Sequence, residues 1–238
     1  MRAVFNREFR AIFRTLTGYI FFAAFILVTG LFATCFNFVF GSSALEYTLV
    51  FLAPALALLL PVLSIGIVGA EDRDGTGALL HSLPLTPRDV FFGKFFAALA
   101  VLAIAIAVPC LLPLVFSMYG EVNFVSAYSA LGAFALLELA LLCAELLVAV
   151  CIKKKLVCFI VSYALPILLY VLSLVTQYLP FGVREALDAV SLFGLYTSFE
   201  YGLLDIKAIV LYLSVSAVLL TLSYIKYAKS FARGEVTR

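Results

Sequence analysis

Apolar residues gather in six long runs, and the polar residues collect between them. The runs cover residues 18–40, 48–70, 91–117, 126–151, 156–178 and 206–225. Each is long enough to cross a hydrocarbon core of about 30 Å at a rise of about 1.5 Å per residue. Lipid offers no water to bond the backbone, so runs of this length are predicted to be transmembrane α-helices. Pro61, Pro109, Pro113 and Pro166 fall inside the runs, where each removes a backbone donor and favours a kink.

Residues 1–17 follow a different pattern. On a helical wheel Phe5, Phe9, Ile12, Phe13 and Leu16 share one face, and Arg7, Arg10 and Arg14 share the opposite one. The segregation predicts an amphipathic helix lying at the membrane interface with its arginines toward the headgroups. The plainer reading is a positively charged anchor before the first span. Gly18 is the expected elbow. The apolar run after the arginines is too long for a signal peptide and no small-x-small cleavage site follows it; Phe32-Ala33-Thr34-Cys35 is a poor lipobox. A retained span is expected there.

Two connecting segments have room for structure. The first, about residues 71–90, contains Glu71-Asp72-Arg73-Asp74-Gly75-Thr76 and then Leu79-Leu80 before Pro84. Asp74 or Thr76 can cap a short helix carrying Leu79 and Leu80, and Pro84 would end it. Thr86 then caps the next helix, with Pro87 at its first position and Asp89 in its first turn. An exposed Leu79-Leu80 pair at the membrane surface suits docking to a partner, while a solvated connector fits the same pattern. The second segment, about 179–205, mixes Pro180, Gly182, Gly194 and Gly202 with apolar residues such as Phe181, Phe193 and Phe199. It is too broken for a span and too apolar for a free loop, so short re-entrant or interfacial helices are expected.

The charges set the topology. With the N-terminus placed in the cytoplasm, only Arg184 and Lys207 of the 16 basic residues fall on the outer side. The positive-inside rule then puts both termini inside and makes the helix count even. Composition agrees with a lipid-solvated chain: 65% of the residues are hydrophobic and 13% charged, against about 45–50% and about 25% in soluble domains. A net charge of +2 gives no basic field for nucleic acid. The five cysteines lie in or beside apolar runs without a CxxC pair, so they read as small buried residues rather than a disulfide framework.

Little in the chain points to catalysis. Gly93-Lys94 shares two letters with a P-loop, but Arg88 stands in place of the first glycine and Phe95 replaces the Ser or Thr that would hold Mg²⁺. With His81 as the single histidine, no His-based metal site is expected. Glu71-Asp72 lacks the arginine and histidines that accompany the acidic pair of intramembrane CAAX-type proteases. Two acids are out of place. Glu138 and Glu145 lie within the fourth run, seven residues apart, hence on one helix face about 10 Å apart along the axis. An acid in hydrocarbon costs on the order of 2.5–3.5 kcal/mol even on lenient scales, so both must face protein or water, or be protonated. They can line a substrate path or form a protonatable pair; interhelical or inter-subunit hydrogen bonding is the structural alternative.

The order of these parts resembles the permease subunits of ABC-2-type exporters, and within them the small gliding-motility-associated branch. Three stretches carry the resemblance: the amphipathic start leading into Gly18-Tyr19-Ile20-Phe21; the pattern from Glu71 through Leu80, Ser82-Leu83-Pro84-Leu85-Thr86 and Gly93-Lys94; and Phe199-Glu200-Tyr201-Gly202-Leu203-Leu204-Asp205 with Tyr212 downstream. The likeness covers essentially the whole chain. It departs at Ser64-Ile65-Gly66-Ile67, where the family often has a Met-Arg pair.

The resemblance implies one all-α transmembrane permease domain of the ABC-2 exporter type. An N-terminal elbow (Phe5, Arg7, Phe9, Arg10, Phe13, Arg14) precedes six spans, and extracellular re-entrant helices precede the last span. It implies a multi-pass protein of the bacterial cytoplasmic membrane, paired with a second permease copy or paralogue. Each copy would dock on a separate ABC ATPase that holds ATP and Mg²⁺, leaving this chain without a cofactor. The coupling segment would be Glu71, Asp72, Arg73, Gly75, Thr76, Leu79, Leu80 and Pro84, and the outer gate would include Phe199, Gly202 and Asp205. An auxiliary membrane protein is a further partner the family allows. A non-transporting scaffold or assembly factor with the same fold is the alternative.

Overall fold

The computed structural model describes residues 1–41, 44–68, 86–152, 154–178, 180, 184, 187, 191–200 and 205–232. The described residues are helical throughout their regular structure, and six of the helices are long and apolar enough to cross a membrane. In chain order the α-helices are α1 (Arg2–Arg14), α2 (Leu16–Phe32), α3 (Leu45–Val68), α4 (Pro87–Phe116), α5 (Phe124–Cys151), α6 (Lys155–Val175), the short α7 (Leu192–Glu200) and α8 (Ile206–Ala232), the six long ones being all but α1 and α7. Helix α2 runs on into a π-helical segment, Ala33–Val39, and α6 ends in a 3₁₀ turn, Thr176–Tyr178.

The spans start and stop close to the expected boundaries, and local chemistry explains several of the ends. Thr86 Oγ1 accepts the Asp89 N–H at 3.2 Å while its hydroxyl donates to Asp89 Oδ2 at 2.7 Å, with Pro87 in the first turn. Asn123 caps α5 by accepting the Ser126 N–H at 3.3 Å. Asp205 Oδ1 accepts the Lys207 N–H at 2.9 Å at the start of α8. The last span outruns its expected end at residue 225, because a helix need not stop where the hydrocarbon does. Tyr224 and Tyr227 give the extra turns an aromatic seat on Phe91 of α4, with ring centroids 5.8 and 5.6 Å apart.

Helix α5 is the axis of the bundle. It packs most extensively on α8 and α3, and also touches α7, α4 and α6. Small residues at Ala127, Ala130, Ala133 and Ala140 are buried along it and allow close approach of neighbouring helices. Leucines complete the core: Leu49, Leu52, Leu56 and Leu60 of α3, and Leu137, Leu141 and Leu142 of α5, are fully or almost fully buried. By contrast α2, α6 and α8 leave most of their apolar side chains on the outside, the arrangement expected of helices solvated by lipid.

The N-terminal helix is amphipathic, as its sequence predicts, but its apolar side is docked on protein. Val4 packs against Gly93 of α4, where a Cβ would lie 2.9 Å from the valine side chain. Phe5, Phe9 and Phe13 form a ladder with ring centroids 5.7 and 4.9 Å apart, and Phe13 continues it to Phe22 of α2 at 5.4 Å. The break between α1 and α2 falls at Thr15, whose φ of −96° and ψ of 151° are extended, and not at Gly18. Gly18 serves a different need. A Cβ there would sit 2.2 Å from the Ile12 carbonyl oxygen, so only glycine lets α2 begin this close to α1.

Candidate functional site

Both acids singled out in the sequence lie on α5 and inside the bundle: Glu138 is 0% exposed and Glu145 1%. Neither faces lipid, and in this arrangement neither reaches an outer surface where a second subunit would meet it. The four carboxyl oxygens have no hydrogen-bond partner among the described residues. Interhelical hydrogen bonding, the structural alternative left open by the sequence, is therefore not supplied by the described side chains in this packing.

Glu145 does have polar company. Across the α5–α6 contact it faces Ser162, with Cys158 and Tyr163 within electrostatic reach. Ser162 is fully buried and its hydroxyl is likewise without a bonded partner, so it approaches the carboxyl without reaching hydrogen-bond geometry. Ser64, buried toward the end of α3, is a further unpartnered hydroxyl. These serines escaped the sequence reading, and Cys158 entered it only as a small buried residue, because Ser and Cys are ordinary in membrane helices and nothing local to them announces a neighbouring acid. Periodicity would have helped in part: Cys158 and Ser162 are four residues apart and so share the buried side of α6.

Among the described residues, no group of three His, Cys, Asp or Glu side chains is placed to hold a metal ion. The buried acids and serines are polar atoms held in apolar surroundings. An isolated buried polar group costs on the order of 1–3 kcal/mol, and an unpaired charge considerably more. Water, a proton or a polar ligand at these oxygens would relieve that cost.

The other residues of interest are spread over the molecule. Phe5, Arg7, Phe9, Arg10, Phe13 and Arg14 lie on α1, with Arg7 paired to its neighbour Glu8 and Arg10 and Arg14 exposed. Glu8 itself is buried beside the α1–α4 contact, one turn from Val4. Lys94, next to Gly93, is only 2% exposed. The coupling residues Glu71, Asp72, Arg73, Gly75, Thr76, Leu79, Leu80 and Pro84 lie outside the described residues, as does Gly202. Phe199 is on α7, buried with Tyr196 in the main core, and Asp205 caps α8. Tyr212 ties α8 to α7 by donating its hydroxyl to the Leu192 carbonyl at 2.8 Å.

Basic side chains collect at one end of the bundle: those of α1, Arg88 and Lys94 at the start of α4, Lys154 and Lys155 before and at the start of α6, and Lys226 and Lys229 at the end of α8. Arg88 Nε donates to the Tyr224 hydroxyl at 3.0 Å, which fixes α4 and α8 at this end. No protein-family model matches the chain, and no curated protein matches it.

Proposed function

We propose that the chain is the permease subunit of an ATP-driven ABC-2-type export complex in a cytoplasmic membrane, working with a separate ATPase. The supporting observation is the order of parts: an amphipathic α1 seated at the basic end, six spans, and a short α7 packed into the core before the last of them. The sequence from Glu71 to Pro84 belongs to that same basic end by its place between α3 and α4, where an energised partner would dock. The basic end is then cytoplasmic, and the outer gate includes Phe199, Gly202 and Asp205. Helix α5 links the two ends through the core, so a movement imposed at the cytoplasmic end reaches its acids and the α7 side together. A second permease copy or paralogue completes the membrane pathway, and ATP and Mg²⁺ reside on the partner.

The test is affinity purification of the full chain from its native membrane with the associated ATPase identified by mass spectrometry. Leu79→Asp and Leu80→Asp should each abolish co-purification while leaving the chain inserted and folded. Intact ATPase binding by both variants would sink the coupling assignment. ATPase stimulation with vectorial movement of a cargo separates a transporter from a scaffold of the same fold, which would bind the ATPase without moving anything.

A further inference from the structure

The end of the bundle opposite the basic side chains holds a cavity of about 390 Å³ that the export reading does not use. Asn37 and Phe38 of the π-helical segment line one side, and Phe116, Tyr119 and Glu121 at the end of α4 and just beyond it line the other. The aromatic walls stand at right angles. Phe38 meets Phe116 at 78° with ring centroids 5.7 Å apart, and meets Tyr119 at 89° and 5.4 Å.

This wall is held in place from behind. The Asn37 amide donates to the Ala44 carbonyl at 2.9 Å and its oxygen accepts the Thr48 hydroxyl, which bridges the turn between α2 and α3. Gly41 takes the left-handed conformation that this turn needs, with φ of 65°. The π-helical stretch is itself a departure from regular α-helix of the kind often found at binding sites. It turns Asn37 into the protein, where it is buried, and leaves its neighbour Phe38 half-exposed at the cavity.

The lining selects a class of ligand. Its described lining contains a carboxylate and no basic side chain, so an anion is disfavoured. Aromatic faces carry negative potential and attract cations, and they also accept apolar methyl groups. A small metal cation would instead seek about six or more oxygens, and Glu121 is the one carboxylate in the described lining. An alkylammonium group satisfies both features at once, with its methyl or methylene groups against the rings and its charge toward Glu121. A carboxylate has about four acceptor sites, so Glu121 keeps room for this contact beside its others.

We propose that this cavity binds an alkylammonium group at the membrane surface, supplied by a lipid headgroup or by a soluble amine. The site is independent of the export assignment and stands or falls separately from it. The sequence contains no tryptophan, so Phe38→Trp introduces a single fluorescent reporter that retains an aromatic wall. Titrating that variant with tetramethylammonium in phosphatidylglycerol nanodiscs should give a saturable change that sodium does not reproduce. Tyr119→Ala and Glu121→Gln, both at exposed positions, should each weaken the response about threefold to tenfold. If phosphatidylcholine discs suppress the response to the soluble probe, the headgroup is the occupant; if they do not, the soluble amine is. Calorimetry of the unsubstituted chain with the same probe guards against disturbance by the tryptophan. No saturable binding by either method, or unchanged affinity in both the Tyr119 and Glu121 variants, overturns the assignment.

Discussion

Replacing Glu138 or Glu145 with leucine should make the protein more stable, not less. Both side chains are buried to within 1% of complete enclosure, and their oxygens lack hydrogen-bond partners among the described residues. Each unsatisfied polar group costs about 1–3 kcal/mol. Leucine has a similar volume and suits a core already lined by Leu137, Leu141 and Leu142. Replacing even a buried ion pair by well-packed apolar side chains gains up to about 1–4 kcal/mol, and an unpartnered acid has less to lose. For a chain of this size that corresponds to roughly 2–4 °C in Tm per kcal/mol. Thermal unfolding in a single detergent, followed by the accessibility of the buried Cys143 thiol, measures the gain. The two effects should add within about 0.5 kcal/mol, because the acids are about 10 Å apart along α5. Glu145→Leu and Ser162→Ala should not add, since those side chains face one another. Glutamine keeps the polar atoms and should gain much less. The reasoning fails if both leucine variants lose 2 kcal/mol or more, for the acids would then have to be satisfied in the packed bundle. If the gain in stability comes with loss of transport, the acids serve a state in which α5 is differently covered; transport and assembly both unchanged would leave them without that role.

Three further substitutions probe the frame around the site. Gly93→Ala should cost about 1–3 kcal/mol and loosen α1, because the new Cβ would lie 2.9 Å from Val4; faster proteolytic release of α1 is the readout. Tyr212→Phe removes the buried bond to the Leu192 carbonyl and should cost about 1–3 kcal/mol in Tm-derived stability, with the loss confined to the α7–α8 contact in hydrogen exchange. Asn37→Ala removes the bonds to the Thr48 hydroxyl and the Ala44 carbonyl and should destabilise by a similar amount, with faster exchange in the turn between α2 and α3.

The spans were legible because lipid imposes a length and a composition that no loop shares, and because caps such as Thr86 act within three residues of themselves. The break after α1 was not placed by the same means. Gly18 is the residue that conformational freedom nominates, yet the chain turns at Thr15 and uses Gly18 for contact with Ile12. That choice depends on how two helices meet, which a single-helix pattern does not contain. The acids were visible as chemical anomalies, and their spacing placed them on one face. What surrounds that face was not visible. The packing of α3 and α8 on α5, and the approach of Ser162 from α6, join segments far apart in the chain. The burial of Glu8 on α1 escaped for the same reason: a helical wheel sorts residues by face but does not say which face has a neighbour.

The central position of α5 also bears on how the protein is made. Its most extensive neighbour, α8, follows it by more than fifty residues of synthesis. Until that helix arrives, the surface it will cover remains open to lipid or to the insertion machinery. For that whole interval α5 stands half-wrapped, held by α3, α4 and α6 but without its largest contact. A chain interrupted before α8 should therefore be short-lived in the membrane, because the core helix would lack the neighbour it packs on most.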